Sequence, residues 1–284
     1  MDINWSYKNK SRVFDTKENG GVPYLSFKAL DDTGLAVNGF STRMGGASRG
    51  KFSTMNFSYS RGDAAEDVLE NFTRMAAALG VERDRMVVSH QTHTVNLRRV
   101  TLEDAGKGVI RERDYRDIDG LITDVPGLTL VTFYADCVPP HLVDPVNRAI
   151  GLSHSGWRGT VKRMGQVMVD AMKEAFGTKP EDLIACVGPS ICRDCFEVGG
   201  EVVEEFREAF GPEHREALYC QGKRPGKYQL DLWKANEIIF REAGICRENI
   251  HITNICTMCN SDYLFSHRKV GEERGNLAAF LCLK

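Results

Sequence analysis

No apolar run in the sequence approaches the roughly twenty residues that a membrane-spanning helix needs. The polar residues 1–12 also lack the apolar centre of a signal peptide. Excess charge of one sign is missing too. The formal net charge is −2 with 27% charged residues, so there is no basic field to hold nucleic acid or an anionic membrane surface. No internal repeat, low-complexity linker, heptad or Walker pattern is visible. These absences lead us to expect a cytoplasmic chain. Its 284 residues suffice for a core without staples, as one large domain or two small ones. Nine cysteines is an odd count without an export signal. Reduced thiols are the simplest expectation, with metal ligation second.

What is present centres on residues 135–160, A-D-C-V-P-P-H-L-V-D-P-V-N-R-A-I-G-L-S-H-S-G-W-R-G-T. The apolar run 128–134 reads as a buried strand that stops at Asp136 and Cys137, where Pro139 and Pro140 block further ladder pairing. A second run, 149–152, stops at His154, and Gly156 and Gly159 lead into a helical pattern. Two strand ends can thus bring a thiol and an imidazole to one sheet edge, where ligands of α/β proteins gather. Cys with His is the material of a metal site, or of a nucleophile with its base.

Short strands are expected at 24–28 and 35–41. The glycine-rich loop 41–50 offers backbone N–H groups and guanidinium to an anion, so Arg43, Gly45 and Gly46 are candidate substrate contacts, with Asn56 just beyond. Asp63, with Glu66 three residues on, is placed to cap a helix striped by Val68, Phe72, Met75, Ala76 and Leu79 and ended by Gly80. Strands at 86–88 and 95–100 flank S-H-Q-T-H-T. On extended backbone His90 and His93 point to opposite faces, so only one is expected in any site. Residues 103–119 read as an exposed charged loop, and Asp119 suits either a turn cap or a pocket carboxylate. Val161, Met164, Met168, Ala171, Met172 and Phe176 mark a helix, with Arg158 at its start as a second anion seat. Strands at 120–123, 183–187, 250–255 and 277–283 and helices at 201–210 and 232–243 complete the chain, Asp231 capping the last helix. Such alternation argues for one α/β domain with a mixed sheet.

Two C-x-x-C pairs, Cys192/Cys195 and Cys256/Cys259, have the spacing of a tetrahedral thiolate zinc site. The roughly sixty residues between them exceed what zinc ribbons use. Four scattered reduced thiols are therefore the expectation.

The motifs R-M-G-G-A-S (43–48), Q-T-H (91–93), A-D-C-V-P (135–139) and H-S-G-W-R-G (154–159) together resemble the YfiH-like family, also labelled polyphenol oxidase or laccase-domain. V-G-P-S-I (187–191), F-E-V-G (196–199), L-D-L-W-K-A-N (230–236), Cys256-Thr257 and F-S-H-R (265–268) follow in family order. Thr92, Thr94, Ser155 and Asn276 depart from the pattern without removing a ligand. The resemblance implies a single layered α/β sandwich with mixed β-sheets, residues 23–284; the polar residues 1–22 read as an N-terminal arm. It implies a zinc site of His93, Cys137 and His154. On this assignment His90 is left out, because Gln91 and His93 alternate onto one strand face.

Three protein ligands leave one tetrahedral position open, the mark of a catalytic zinc. The resemblance implies phosphorolysis of adenosine, inosine and methylthioadenosine, and deamination of adenosine. Arg43 and Arg158 suit phosphate, which ranks phosphorolysis first. Asp136 is a candidate for proton transfer or for orienting a ligand histidine. Seven histidines, mostly standing alone, do not suit a multinuclear copper centre. One copper in place of zinc would allow slow phenol oxidation. The rivals are a metal-free hydrolase with Cys137 as nucleophile, and a binding module with a structural zinc.

Overall fold

The structure, a computed structural model, describes residues 3–284. Two six-stranded sheets form its frame. The first runs Phe14–Asn19, Val22–Phe27, Ala36–Ser41, Leu277–Leu283, Thr129–Tyr134 and Met86–Val88, antiparallel except for the last pair. The second runs Ile250–Ile252, Ile184–Val187, Pro140–Asp144, Ala149–Ser153, Gly120–Thr123 and Leu97–Arg99, parallel only at its two outer pairs.

The strand Leu277–Leu283 shows how sequence builds the layers. Its period-two alternation sends Leu277, Ala279, Leu281 and Leu283 into a core shared with Leu130, Ile150 and Leu152. Ala278 and Phe280 face the other way, onto Val68, Phe72 and Met75 of the helix Ala65–Leu79. A strand buried on both faces reads as one continuous apolar run. Helices Met164–Phe176 and Leu232–Glu242 cover the outer face of the second sheet through Met168, Met172, Ile238 and Ile239. The chain is thus a single α/β sandwich of helix, sheet, sheet and helices. A small third sheet, Glu197–Gly199, Lys227–Leu230 and Tyr219–Gln221, flanks it. Among the described residues no helix is long and apolar enough to cross a membrane.

Local expectations change where tertiary contacts override the sequence pattern. Residues 14–19 of the expected arm form an edge strand on Val22–Phe27, turned by Gly20 and Gly21 at φ 58° and 76°. Pro140 does not end pairing. It is the first residue of a strand in the opposite sheet, a position that tolerates proline's missing N–H. Asp63 caps nothing: Ala64 holds the cap position, and Asp63 instead accepts from Ser48 Oγ at 2.6 Å and Asn56 Nδ2 at 2.9 Å. Asp231 does cap its helix, accepting from the Lys234 N–H at 2.9 Å. The pattern from Val161 to Phe176 splits into Trp157–Val161 and Met164–Phe176 at Arg163, φ 60°. The charged loop 103–119 is anchored by buried Lys107, 2.8 Å from both Asp104 and Asp114.

Candidate metal centre

Strands Thr129–Tyr134 and Ala149–Ser153 end together, the Tyr134 hydroxyl donating to Ser153 O at 2.7 Å. Beyond the first, the chain kinks at Asp136, φ 89°. Val138 and Ser155 then exchange backbone hydrogen bonds of 3.0 and 2.8 Å, which fixes Cys137 beside His154. His93 arrives differently from expectation. It sits at φ 64° in a turn rather than on a strand. That turn wraps around the carboxylate of Asp119, which accepts from the N–H groups of Thr92, His93 and Thr94 at 2.9, 3.1 and 2.9 Å and from the Thr94 hydroxyl at 3.0 Å. The same carboxylate lies 2.8 Å from His154 Nδ1. One buried acid therefore places one imidazole through its backbone and orients the other through its ring.

With Nδ1 donating to Asp119, Nε2 is the nitrogen that His154 can offer to a metal once it gives up its proton. The ligating atoms of His93, Cys137 and His154 lie within 4.8 Å of one another. Gly156 leaves them room, since a Cβ there would stand 3.0 Å from both Cys137 Sγ and His93 Cδ2. Burial pushes the Cys137 thiol up, but the His154 and His93 imidazoles outweigh it and bring the thiol down to about 6. Burial likewise lowers His154, while Cys137 and Asp119 raise it to about 9. Without a metal the group is thus a thiolate–imidazolium pair at neutral pH. One sulfur and two imidazole nitrogens, with space between them, fit zinc or copper. Gly156→Ala is expected to fold as the parent does, by circular dichroism, yet to bind metal roughly tenfold more weakly because the ligands must spread. Equal affinities in a competition titration with a chromogenic chelator would refute this.

The three ligands line a cavity of about 390 Å³ together with Tyr59, Phe133 and Tyr134. Gln91 fixes one wall, its amide exchanging two 2.7 Å hydrogen bonds with the Phe133 backbone. Arg61, Arg113 and Arg274 with Ser58 and Ser60 line the cavity as well. Burial, then repulsion by Arg61, brings the Arg274 guanidinium down to about 10, and its buried Nε has no partner. An anion between Arg61 and Arg274 would offset their mutual repulsion.

Of the site residues expected from sequence, His93, Cys137 and His154 converge. His90 lines the same cavity, but its Nδ1 accepts from the Asp117 N–H at 3.1 Å. Asp136 turns away from the cavity, because Thr257 Oγ1 and the Arg268 N–H both donate to it at 2.6 Å. The histidine-orienting role falls to Asp119. Arg43 stacks on Phe265 and donates to Ser53 O and Ser261 O, outside the cavity. Gly45 and Gly46 are tight packing points: a Cβ would lie 2.5 Å from Gly21 O and 2.1 Å from Thr54 O respectively. Asn56 braces the wall from behind, accepting from the Asn276 N–H at 2.9 Å. Arg158 is exposed and lies over Trp157. The cations that do line the cavity sit in polar loops with no local motif to mark them. The expectation of scattered thiols also fails, since Cys192, Cys195, Cys256 and Cys259 cluster as a second group that could hold a metal.

The family described as multi-copper polyphenol oxidoreductase laccase matches residues 37–284. The chain belongs to this family, the YfiH-like family. Among its relatives, this YfiH-like chain is 34% identical over 250 residues to purine nucleoside phosphorylase YlmD of Geobacillus stearothermophilus, covering 87% of the chain and 89% of YlmD. It is 35% identical over 244 residues to adenosine deaminase RL5 of an unknown prokaryotic organism, covering 84% and 91%. The crystal structure of the hypothetical protein YfiH from Bacillus licheniformis matches it with a TM-score of 0.88 at 29% identity, over 95% of this chain and 99% of that one. Despite the copper in the family's description, two of the seven histidines enter a group that could hold a metal among the described residues.

Proposed function

We propose that this chain is a zinc-dependent purine nucleoside phosphorylase with adenosine deaminase activity, acting on adenosine, inosine and methylthioadenosine in the cytoplasm. The observation that carries the reading is one cavity lined both by the three candidate metal ligands and by three arginines. The names of YlmD and RL5 support the same pair of chemistries. Zinc held by His93, Cys137 and His154 would supply a Lewis acid and an acidified water. Arg61 and Arg274 hold phosphate by charge, and Ser58 and Ser60 add hydroxyl donors. Tyr59 and Phe133 offer rings to the purine. In phosphorolysis a phosphate oxygen bonds to the ribose carbon as the bond to the purine nitrogen breaks, and the base leaves with a proton. In deamination water adds at C6 and ammonia leaves. Copper in the same ligands would support slow phenol oxidation as a side activity.

The lowered Cys137 thiol also favours a metal-free hydrolase with a thiolate nucleophile. Such a nucleophile needs one base, and here two imidazoles face one sulfur, which favours the metal.

The test is a product assay on zinc-loaded protein given adenosine, with and without phosphate. Phosphate-dependent adenine and ribose 1-phosphate are expected, together with some inosine. Arg61→Ala is expected to raise the KM for phosphate ~10–100-fold, the worth of one charge-assisted hydrogen bond, and to leave deamination nearly unchanged. Inosine alone would remove the phosphorylase reading, and neither product would remove both.

A further inference from the structure

The two C-x-x-C pairs lie on tight turns that the fold sets side by side. Cys195 N–H donates to Cys192 O at 3.0 Å, and Asn260 N–H to Cys256 O at 3.1 Å. A parallel bridge joins Ser190 to Cys256, and the Thr257 N–H donates to Ser190 O at 3.2 Å. Corresponding cysteines therefore face each other across 64 residues of sequence. The Cys192 N–H points to Cys256 Sγ at 3.3 Å, and Cys195 Sγ is 3.5 Å from Cys259 Sγ. All four sulfurs lie within 4.8 Å of one another.

We propose that Cys192, Cys195, Cys256 and Cys259 hold a second, structural zinc ion through four thiolates. Four protein ligands close the tetrahedron, unlike the three-ligand group at the cavity. With Zn–S arms of ~2.3 Å the sulfurs of such a tetrahedron stand ~3.8 Å apart, which the observed packing allows. An iron–sulfur cluster would spread its thiolates over separate iron atoms. Cationic and polar groups surround the thiolates: Lys8 reaches Asp194, between Cys192 and Cys195, at 3.0 Å, and Arg268 donates to Cys195 O at 3.4 Å. The N-terminal segment is held there as well, the Ser6 N–H donating to Asn260 Oδ1 at 2.8 Å and the Lys8 N–H to Asn254 O at 2.8 Å.

The site's place in the fold shows what it does. Ile191, next to Cys192, donates its N–H to Asp136 O at 3.0 Å. Thr257, next to Cys256, donates its hydroxyl to Asp136 Oδ1 at 2.6 Å. Asp136 is the left-handed residue that turns Cys137 toward the cavity. The zinc thus clamps two segments far apart in sequence beneath the peptide that positions Cys137.

The experiment counts metal per chain by mass spectrometry, on full-length protein purified from zinc-replete cells under reducing conditions. It compares the parent with Cys195→Ser/Cys259→Ser, which changes the two more exposed cysteines of the group, and with Cys137→Ala. About two zinc ions are expected in the parent and about one in each variant, with a lower Tm for the double variant. Zinc-edge X-ray absorption on the parent needs no variant to fold. Both groups filled give an average of about two to three sulfurs per zinc, and the cavity group alone gives about one. One zinc per parent chain with one sulfur ligand would overturn the proposal. So would iron in this group, or a Cys195–Cys259 or Cys192–Cys256 disulfide in the alkylated parent.

Discussion

A Cys137→Ala chain is expected to lose nucleoside turnover by ~10³-fold or more while keeping its fold. On the proposed function the substitution removes one of three ligands, and the two imidazoles left behind would hold a divalent ion too weakly to keep it at the cavity. The structural loss is small. Cys137 is only half-buried, and deleting one sulfur there costs ~1 kcal/mol, so circular dichroism and Tm should stay near the parent's. The proton count gives an independent readout. In the metal-free parent His154 titrates near 9 and Cys137 near 6, so at pH 7.5 metal binding must expel the His154 proton. About one proton per chain should appear in a weakly buffered titration at this group. As pH falls through about 6, Cys137 takes a proton as well, and metal affinity should drop more steeply. Without the thiolate, His154 loses the first of the influences that raise it, and in Cys137→Ala the proton release should shrink. A variant that keeps its metal and its turnover would remove Cys137 from the site. Irreversible loss of activity by thiol alkylation in fully zinc-loaded parent protein would instead favour the nucleophile reading.

How much of this was legible in the sequence follows from which interactions are local. The strand Leu277–Leu283 and the helix Ala65–Leu79 were readable because burial imposes its own period on one short segment. Cys137 and His154 were readable for a similar reason, as each stands at or just beyond the end of an apolar run. Strand Phe14–Asn19 was not, because the pattern FDTKEN exposes most of its side chains and its identity comes from pairing with Val22–Phe27. Pro140 misled because a proline that ends one strand also serves as the first residue of the next. The arginines misled most. Arg43 had the glycine loop that anion sites use, and the fold spends it on two backbone carbonyls. Arg61 and Arg274 sit in unremarkable polar loops and reach one cavity because Arg61 Nε donates to Arg274 O at 3.2 Å across 213 residues. The four cysteines failed as a reading for the same reason, since nothing local says that two turns 64 residues apart lie side by side.

Asp119→Asn is expected to weaken metal binding ~10–100-fold and to destabilise the fold by ~2–4 kcal/mol, although it removes no ligand and hardly changes volume. The carboxylate is fully buried, and burial alone would raise it; His154 and the N–H groups of Thr92 and Thr94 hold it below the usual carboxylate range. It accepts five hydrogen bonds through two oxygens. An asparagine oxygen placed at Oδ1 keeps those from Thr92 and Thr94. Its amide nitrogen then points at the His93 N–H and at His154 Nδ1, where Asp119 Oδ2 stood. The His93 N–H loses its acceptor, which disturbs the turn that carries His93. His154 must also accept rather than donate at Nδ1, so the imidazolium of the metal-free parent gives way to a neutral ring whose one proton sits on Nε2, the nitrogen that faces Cys137. The ring then presents a proton where the metal needs a lone pair. Nitrogen-15 spectra of the imidazole should show that tautomer, denaturant titration the loss of stability, and chelator competition the loss of affinity. Parent-like affinity together with an unchanged tautomer would mean that the Cys137 contact, not Asp119, sets the orientation of His154.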